Sequence, residues 1–158
     1  MQKIIPSLWF NNNAEEAIDF YASIFKQSKV LNKTYYGEGQ AMPKGTLLVA
    51  SFELAGQQLT AMNAGPQFPF TEAISFTVTC KDQEELDYYW SRLTADGGKE
   101  VQCGWLKDKY GLSWQIVPAI LSELISDKDN EKGNRVLQAV WSMVKLDIAA
   151  LQKAYDGK

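Results

Sequence analysis

The segment EVQCGWLKDKYGLSWQIVP, residues 100–118, brings a cysteine, two lysines, two tryptophans and two glutamines into one short stretch. Cys103 is the side chain of this stretch that could act as a nucleophile. Because the chain contains no histidine, Lys107 or Lys109 would have to activate the thiol. A packed thiol is the simpler interpretation for Cys103 and for Cys80, whose separation in sequence matches no metal-binding spacing.

The lack of histidine narrows the possible chemistry further. It removes Ser-His-Asp and Cys-His catalytic arrangements, and it removes the commonest ligand of transition metals. The acidic pairs Glu15-Glu16 and Glu84-Glu85 fall in the first turns of predicted helices, where the helix dipole is enough to explain them. The sequence therefore assigns no catalytic residue.

The charge pattern argues against nucleic-acid and membrane partners. The 158 residues carry a formal net charge of −3, with acidic and basic residues interspersed, so there is no basic stripe to bind phosphates. No apolar run approaches the roughly 20 residues of a membrane span, and the first residues do not resemble a secretory signal. The sequence predicts a cytoplasmic protein.

The elements that position these residues come from an internal duplication. Shifted by 68 residues, SLWFNNNAEEAIDFYASIF (7–25) lies over SFTVTCKDQEELDYYWSRL (75–93) without a gap, so that Ser7 meets Ser75 and Glu16 meets Glu84. Asp19 and Tyr21 meet the same residue types in the same way. Two copies of one strand-helix unit explain this match.

Each copy predicts a strand, a helix and then further strands. Asn13 with Glu16, and Asp82 with Glu85, have the spacing of a helix cap. Strand character follows at 28–37, 45–56 and 57–65 in the first copy, and at 99–108 and 111–118 in the second. Both copies thus read β-α-β-β-β, the second with shorter or missing outer strands.

The C-terminal 40 residues or so have helical periodicity instead. Helices are predicted in 119–127, 134–144 and 147–157, with Asp147 as a cap of the last one. In the middle helix the predicted apolar stripe consists of Leu137, Val140, Trp141 and Val144. This stripe needs a partner, either the outside of the sheet or a neighbouring subunit.

The quoted motifs resemble a known family. LWFNNNAEEAIDFYASIF, FELAGQQLTAMNAGPQFPF and CGWLKDKYGLSWQIVP are similar to the PhnB-like family, whose label is 3-demethylubiquinone-9 3-methyltransferase. The tandem modules resemble the vicinal-oxygen-chelate superfamily of glyoxalase I. The resemblance implies an α+β fold with a curved mixed sheet in residues 1–118, made of module one (1–65), a linker (66–72) and module two (73–118). Residues 119–158 are expected to be a helical extension of the same domain.

Catalytic members of that superfamily bind a divalent metal through His and Glu from four strands. Carried over by resemblance, these positions fall at Pro6 or Ser7, at Ile74 or Ser75, near Asn63, and at Gln115. Such neutral oxygens and amides suit first-row transition metals poorly. We expect a cup without metal or other cofactor.

Neutral polar groups and aromatic side chains are typical of a small-molecule pocket. Alternation along GLSWQIVP puts Ser113, Gln115 and Val117 on one face of a strand and Trp114 on the other. The predicted ligand-binding residues are Ser7, Trp9, Asn63, Phe68, Ser75, Trp105 and Gln115.

Three kinds of function stay open from the sequence. The first is a metal-free small-molecule-binding protein that forms a homodimer, as members of the superfamily commonly pair modules. The second is an enzyme, either a lyase or isomerase of glyoxalase type or the methyltransferase of the family label, although the glycines lie at hairpin turns and loop ends and do not form a nucleotide-binding turn. The third is a structural dimerisation module.

Overall fold

The computed structural model describes residues 2–158, which form an α+β fold of two compact units. The first unit ends at Phe70 and the second runs from Thr71 to Lys158. Among the described residues the strands form two mixed sheets of four. Each sheet belongs to a β-α-β-β-β module, as the duplication predicts, and the C-terminal helices follow the second module.

The first unit contains five elements in the predicted order. They are β1 (Ser7–Phe10), α1 (Ala14–Ile24), β2 (Lys29–Tyr35), β3 (Leu47–Leu54) and β4 (Gln57–Asn63). The strand order in the sheet is β1-β4-β3-β2, with β1 parallel to β4 and the other pairs antiparallel. The parallel pair follows from the crossover through α1, whereas the tight turn at Ala55-Gly56 joins β3 and β4 as a hairpin.

Helix α1 buries one face, made of Ala14, Ala17, Ile18, Tyr21 and Ile24. This spacing is the predicted amphipathic stripe. Asn13 occupies the N-cap position of α1, as predicted, but among the described residues its side chain makes no capping hydrogen bond. The first free amide of the helix, Ala14 N–H, instead donates to Asn63 Oδ1 at the end of β4, 2.9 Å away. The N-terminus of α1 is thus capped by a residue distant in sequence and not by the local side chain that the spacing predicts.

The second unit repeats the order with shorter strands. Its elements are β5 (Ser75–Cys80), α2 (Gln83–Leu93), a 3₁₀ turn (Ala95–Gly97), β6 (Lys99–Glu100), β7 (Trp105–Lys107) and β8 (Ser113–Pro118). The sheet order is β5-β8-β7-β6, and β5 is parallel to β8. The Asp82 cap is confirmed, since its carboxylate accepts from Glu85 N–H at 2.9 Å.

The single strand predicted at 99–108 is wrong. Cys103 and Gly104 both have positive φ angles, +63° and +80°, and this left-handed backbone breaks the extended chain into the hairpin β6-β7. The outer strand is therefore short but present. Cys103 consequently lies in a turn between two strands and not in a strand.

Three helices complete the second unit: α3 (Leu121–Ile125), α4 (Asn130–Ser142) and α5 (Ile148–Asp156). The stripe predicted for α4 is confirmed at Val140 but wrong at Trp141 and Val144. The buried residues are Gly133, Val136 and Val140, whereas Trp141 is 63% exposed and Val144 is 42% exposed. A Cβ atom at Gly133 would lie 2.6 Å from the Ile125 carbonyl oxygen, so the close approach to α3 selects the face that contains this glycine.

The C-terminal extension is attached to its own unit by hydrogen bonds. Cys103 N–H donates to Met143 O, and Gly104 N–H donates to Val144 O, both at 2.8 Å. Gln83 of α2 bonds Leu146 O and Ile148 N–H through its amide. The Asp147 cap of α5 is confirmed by its 2.8 Å bond from Ala150 N–H. None of the helices formed by residues 2–158 combines the length and the apolar character needed to cross a bilayer.

Candidate functional site

Each sheet has one face packed under its module's helix and one face turned away from it. Residues paired across neighbouring strands share a face, so the strand registers show on which face of the sheet each paired side chain lies. In the first sheet the helix-covered face consists of buried apolar residues such as Leu8, Phe52 and Leu59. The opposite surface, which we call the helix-free face of each sheet, carries most of the predicted ligand-binding residues.

On the helix-free face of the first sheet, Ser7 pairs with Thr60, and Trp9 pairs with Met62. The Thr60 hydroxyl donates to Ser7 Oγ at 2.8 Å. The indole N–H of Trp9 donates to Gly65 O at 2.8 Å. The Phe68 ring meets the Trp9 ring edge to face, with centroids 4.9 Å apart. Ser7, Trp9 and Phe68 therefore lie together in the first unit.

Asn63 does not join them. It pairs with Phe10, so it lies on the helix-covered face, and its side chain is 1% exposed. Besides accepting from Ala14 N–H, its amide donates to Leu47 O at 3.0 Å. The position in line with Trp9 on the helix-free face is Met62. The sequence predicts that Asn63, one residue beyond Met62, lies in the pocket. A shift of one residue along a strand moves a side chain to the opposite face of the sheet.

The helix-free face of the second sheet consists of two rows across three strands. One row contains Ser75, Ser113 and Lys107, and the next contains Thr77, Gln115 and Trp105. The Gln115 amide donates to Ser75 Oγ at 2.9 Å. Ser75, Gln115 and Trp105 are half-buried. The structure thus brings together the three predicted residues of this unit.

Ser113 lies in the centre of this face and was not among the predicted ligand-binding residues. Its side chain is 1% exposed, and its hydroxyl has no hydrogen-bond partner among residues 2–158. Burying a hydroxyl without a partner costs about 1–3 kcal/mol. Strand alternation already puts Ser113 on the face of Gln115, so the signal for it is present in the sequence.

Lys107 is the cation of the same row. Its ammonium forms an ion pair with the carboxylate of Glu72, in the turn that leads into β5. The Lys107 side chain is 30% exposed and that of Glu72 is 62% exposed. The hydrogen bond from Lys107 lowers the pKa of Glu72 below its usual value, so the carboxylate stays ionised at neutral pH.

A buried carboxylate holds the hairpin that carries Gln115. Asp108 is 3% exposed, and its Oδ1 accepts from the backbone N–H groups of Tyr110 and Leu112. Its Oδ2 accepts from the Trp114 indole N–H at 2.9 Å. These bonds fix the turn DKYG and hold Trp114 on the helix-covered face, as alternation predicts. They therefore orient Gln115 toward the helix-free face.

The two cysteines differ in environment. Cys80 is fully buried, and the loss of solvation, followed by the nearby Glu85 and Asp82 charges, raises the pKa of its thiol to about 12. A thiol with this pKa stays protonated and is a poor nucleophile. Cys103 is half-buried, and its backbone ties the β6-β7 turn to the C-terminal extension.

The residues present do not fit a divalent transition metal. Residues 2–158 contain no group of three or more His, Cys, Asp or Glu side chains arranged to hold a metal ion. On the helix-free faces the positions carried over from the metal-binding superfamily are Ser7, Ser75 and Gln115, with Met62 in place of Asn63. Hydroxyl, amide and thioether groups are weak ligands for Zn²⁺, Mn²⁺ or Ni²⁺.

Two β-α-β-β-β modules with mixed sheets and helix-free faces define a glyoxalase-like fold. The chain belongs to the 3-demethylubiquinone-9 3-methyltransferase family, whose pattern it matches over residues 2–117. The C-terminal helices lie beyond this match. The search of curated proteins gave no match.

Three solved structures illustrate the relationship. The PhnB protein from Bacillus cereus, described as a 3-demethylubiquinone-9 3-methyltransferase, is 38% identical; the match covers 75% of this chain and 100% of that chain, with a TM-score of 0.69. Protein PA1353 from Pseudomonas aeruginosa is 20% identical over 75% of this chain and 98% of that one, with a TM-score of 0.61. The fosfomycin resistance protein FosX from Listeria monocytogenes is 17% identical over 78% and 97%, with a TM-score of 0.53. The last two show a shared fold alone.

Proposed function

We propose that the protein binds a small organic molecule without a metal, on the helix-free face of the second sheet. The observation that carries the proposal is the buried Ser113 hydroxyl without a partner among residues 2–158, in the middle of a polar surface. Buried polar groups in stable folds are almost always paired. A ligand that supplies the missing partner would relieve this cost on binding.

The side chains around Ser113 suit such a ligand. Gln115 and Ser75 supply amide and hydroxyl groups, and Trp105, paired with Gln115 across the strands, supplies a flat apolar surface. A small number of oriented polar groups beside an aromatic wall is typical of ligand sites. In the first unit Ser7, Trp9 and Phe68 remain predicted ligand contacts.

An enzyme is the second candidate, favoured by the family's name. The Bacillus cereus relative is described as a methyltransferase, and a glyoxalase-type lyase or isomerase is the other form of this candidate. Sites for S-adenosylmethionine in doubly wound folds use a glycine-rich turn between strand and helix. In this protein the connections from strand to helix are residues 11–13 in the first module and 81–82 in the second, and neither contains glycine. Calorimetry with S-adenosylmethionine tests this candidate, and low-micromolar binding would replace our proposal.

A metabolite screen by ligand-observed NMR, with EDTA present, tests the binding proposal. We expect hits whose affinity falls in Gln115→Met, which removes the amide at nearly constant volume. Met62→Leu on the corresponding position of the first sheet is the matched control and should leave those hits unchanged. Hits that ignore Gln115→Met and Trp105→Phe would refute the site.

Elemental analysis tests the metal-free part of the proposal. Protein incubated with zinc, nickel, manganese or cobalt and then dialysed should retain no stoichiometric metal, and its melting temperature should not rise. Stoichiometric uptake with a raised melting temperature would return metal-assisted chemistry to first place, since a ligand that binds only the folded state stabilises it.

We also propose that the protein is a homodimer. The supporting observation is apolar surface that the C-terminal extension leaves exposed, above all Trp141, which is 63% exposed, and Val144, which is 42% exposed. Light scattering at micromolar concentration should give twice the 17.8 kDa chain mass, and Trp141→Lys should shift it toward the monomer. A monomeric wild-type protein would refute this, and a structural dimerisation module would then lose its support as well.

A further inference from the structure

We propose that the ligand of the second unit carries a carboxylate, and that this group displaces Glu72 from the Lys107 ammonium. The inference rests on the proposed binding function and specifies its chemistry. Its starting point is that Lys107 is paired with a carboxylate from outside the sheet, in the turn before β5. Glu72 thus shows which chemical group this position accepts.

The Lys107 ammonium is more sheltered than its partner. The side chain of Lys107 is 30% exposed, whereas that of Glu72 is 62% exposed. A sheltered cation keeps its preference for an anion, while an exposed carboxylate loses little when it returns to water. Exchange of Glu72 for a ligand carboxylate is therefore inexpensive, and the ligand needs no second cation.

The neighbouring residue in the row explains why a carboxylate is favoured over a neutral group. Ser113 pairs with Lys107 across the antiparallel strands, so their side chains leave the sheet side by side, on strands about 4.8 Å apart. A carboxylate has two oxygens, and both accept hydrogen bonds. One can accept from the ammonium and the other from the hydroxyl of Ser113, which has no partner within the described chain.

The remaining part of the ligand would lie over the next row. Gln115 and Trp105 pair there, and they offer an amide and an aromatic surface to an uncharged body. A planar acid such as an aromatic carboxylate matches both rows. Glu72 then acts as an internal competitor, so that the wild-type protein binds acids more weakly than the site allows.

The test compares benzoate with its neutral isostere benzamide, using titration of the backbone and Gln115 amide NMR signals of the full chain. Glu72→Gln should tighten benzoate binding several-fold and leave benzamide unchanged. Lys107→Met should weaken benzoate binding by about tenfold, as expected for the loss of a charged hydrogen bond. Lys29→Met is the matched control, because Lys29 pairs with Glu53 in the first sheet; it should change neither.

The outcomes separate the two proposals. If benzamide and benzoate shift the Gln115 and Trp105 signals equally and neither variant matters, the binding function stands and the carboxylate inference is overturned. If benzoate shifts signals elsewhere and never those of Gln115 and Trp105, the site itself is refuted. Tighter benzoate binding in Glu72→Gln together with weaker binding in Lys107→Met supports the inference.

Discussion

The two sheets place different chemistry on the same scaffold. Register makes Ser7 correspond to Ser75 and Thr60 to Ser113, since each pair lies on the first and last strands of its module. In the first sheet the two hydroxyls bond each other at 2.8 Å. In the second, Ser75 accepts instead from Gln115, and Ser113 is left without a partner among the described residues.

The neighbouring positions differ in the same direction. Met62 corresponds to Gln115, and Ser51 corresponds to Lys107. On the first face the Ser7 and Thr60 hydroxyls therefore satisfy each other, whereas the second face has a sheltered cation, an amide and a hydroxyl without a partner among residues 2–158. The second face thus carries one buried hydroxyl that a ligand would satisfy, beside the Lys107–Glu72 ion pair and the bond from Gln115 to Ser75.

The largest expected losses of stability come from two buried polar side chains, Asp108 in the second unit and Asn63 in the first. Asp108→Ala removes the acceptor of two buried donors and one half-buried donor and should lower the free energy of unfolding by about 3–5 kcal/mol. Asn63→Ala, which removes the α1 cap and the bond to Leu47, should cost about 2–3 kcal/mol. Urea denaturation measures both. Asp108→Asn keeps one acceptor and should lose less, and an equal loss in both Asp108 variants would contradict this account.

The C-terminal extension has no counterpart in the first unit, and Gly133→Ala tests how closely it is packed. A new Cβ would lie 2.6 Å from the Ile125 carbonyl oxygen, so α3 and α4 must separate, at about 1–3 kcal/mol. Hydrogen exchange should show faster opening in the second unit. Gln138→Ala, on the exposed side of α4, is the control and should not accelerate exchange in the second unit. Equal protection in both variants would show that α3 and α4 separate without cost.

The sequence predicts most of the fold because repeated apolar spacing and cap residues act locally. It predicts the faces of Trp114 and Gln115 because alternation needs no knowledge of the partner strand. It fails at Asn63, where a shift of one residue at a strand end changes the face, and at Cys103, because residues other than glycine rarely adopt the left-handed backbone found there. It fails for Trp141 because the packing of Gly133 against α3 outweighs side-chain hydrophobicity.

Corresponding hydroxyls in the two sheets should respond to deletion with opposite signs. Ser113→Ala removes a buried group without a partner in the described chain, so the protein should gain up to about 1 kcal/mol. Thr60→Val breaks the bond to Ser7 and should cost about 0.5–1 kcal/mol. Thermal melting of both variants, without ligand, measures the difference. A loss on Ser113→Ala would mean that this hydroxyl is already paired in solution and would remove the basis of the proposed site.

The smallest effect concerns how the C-terminal extension is held at low pH. The ammonium of Lys145, 2.6 Å away, and then the amide of Gln83 hold the pKa of Asp87 below its usual value. A carboxyl whose pKa is lower in the folded state stabilises the fold above its unfolded pKa, and this contribution is lost as the pH falls through the folded pKa. Because the pair is exposed, the contribution is about 0.5 kcal/mol or less.

The Cys103 and Gly104 amides donate to the extension, and the Ile148 amide of the extension donates to Gln83. Hydrogen exchange at these three amides should therefore accelerate slightly below pH 4 relative to Asp87→Asn. The variant lacks the titrating group, so its protection should already be low and should not change with pH beyond the intrinsic exchange rate. Glu15→Gln is the first-unit control, since Glu15 is likewise paired with a lysine, Lys33, in the other module. If Glu15→Gln altered protection at these three amides as much as Asp87→Asn does, the effect would not belong to the Asp87–Lys145 pair, and this prediction would be refuted.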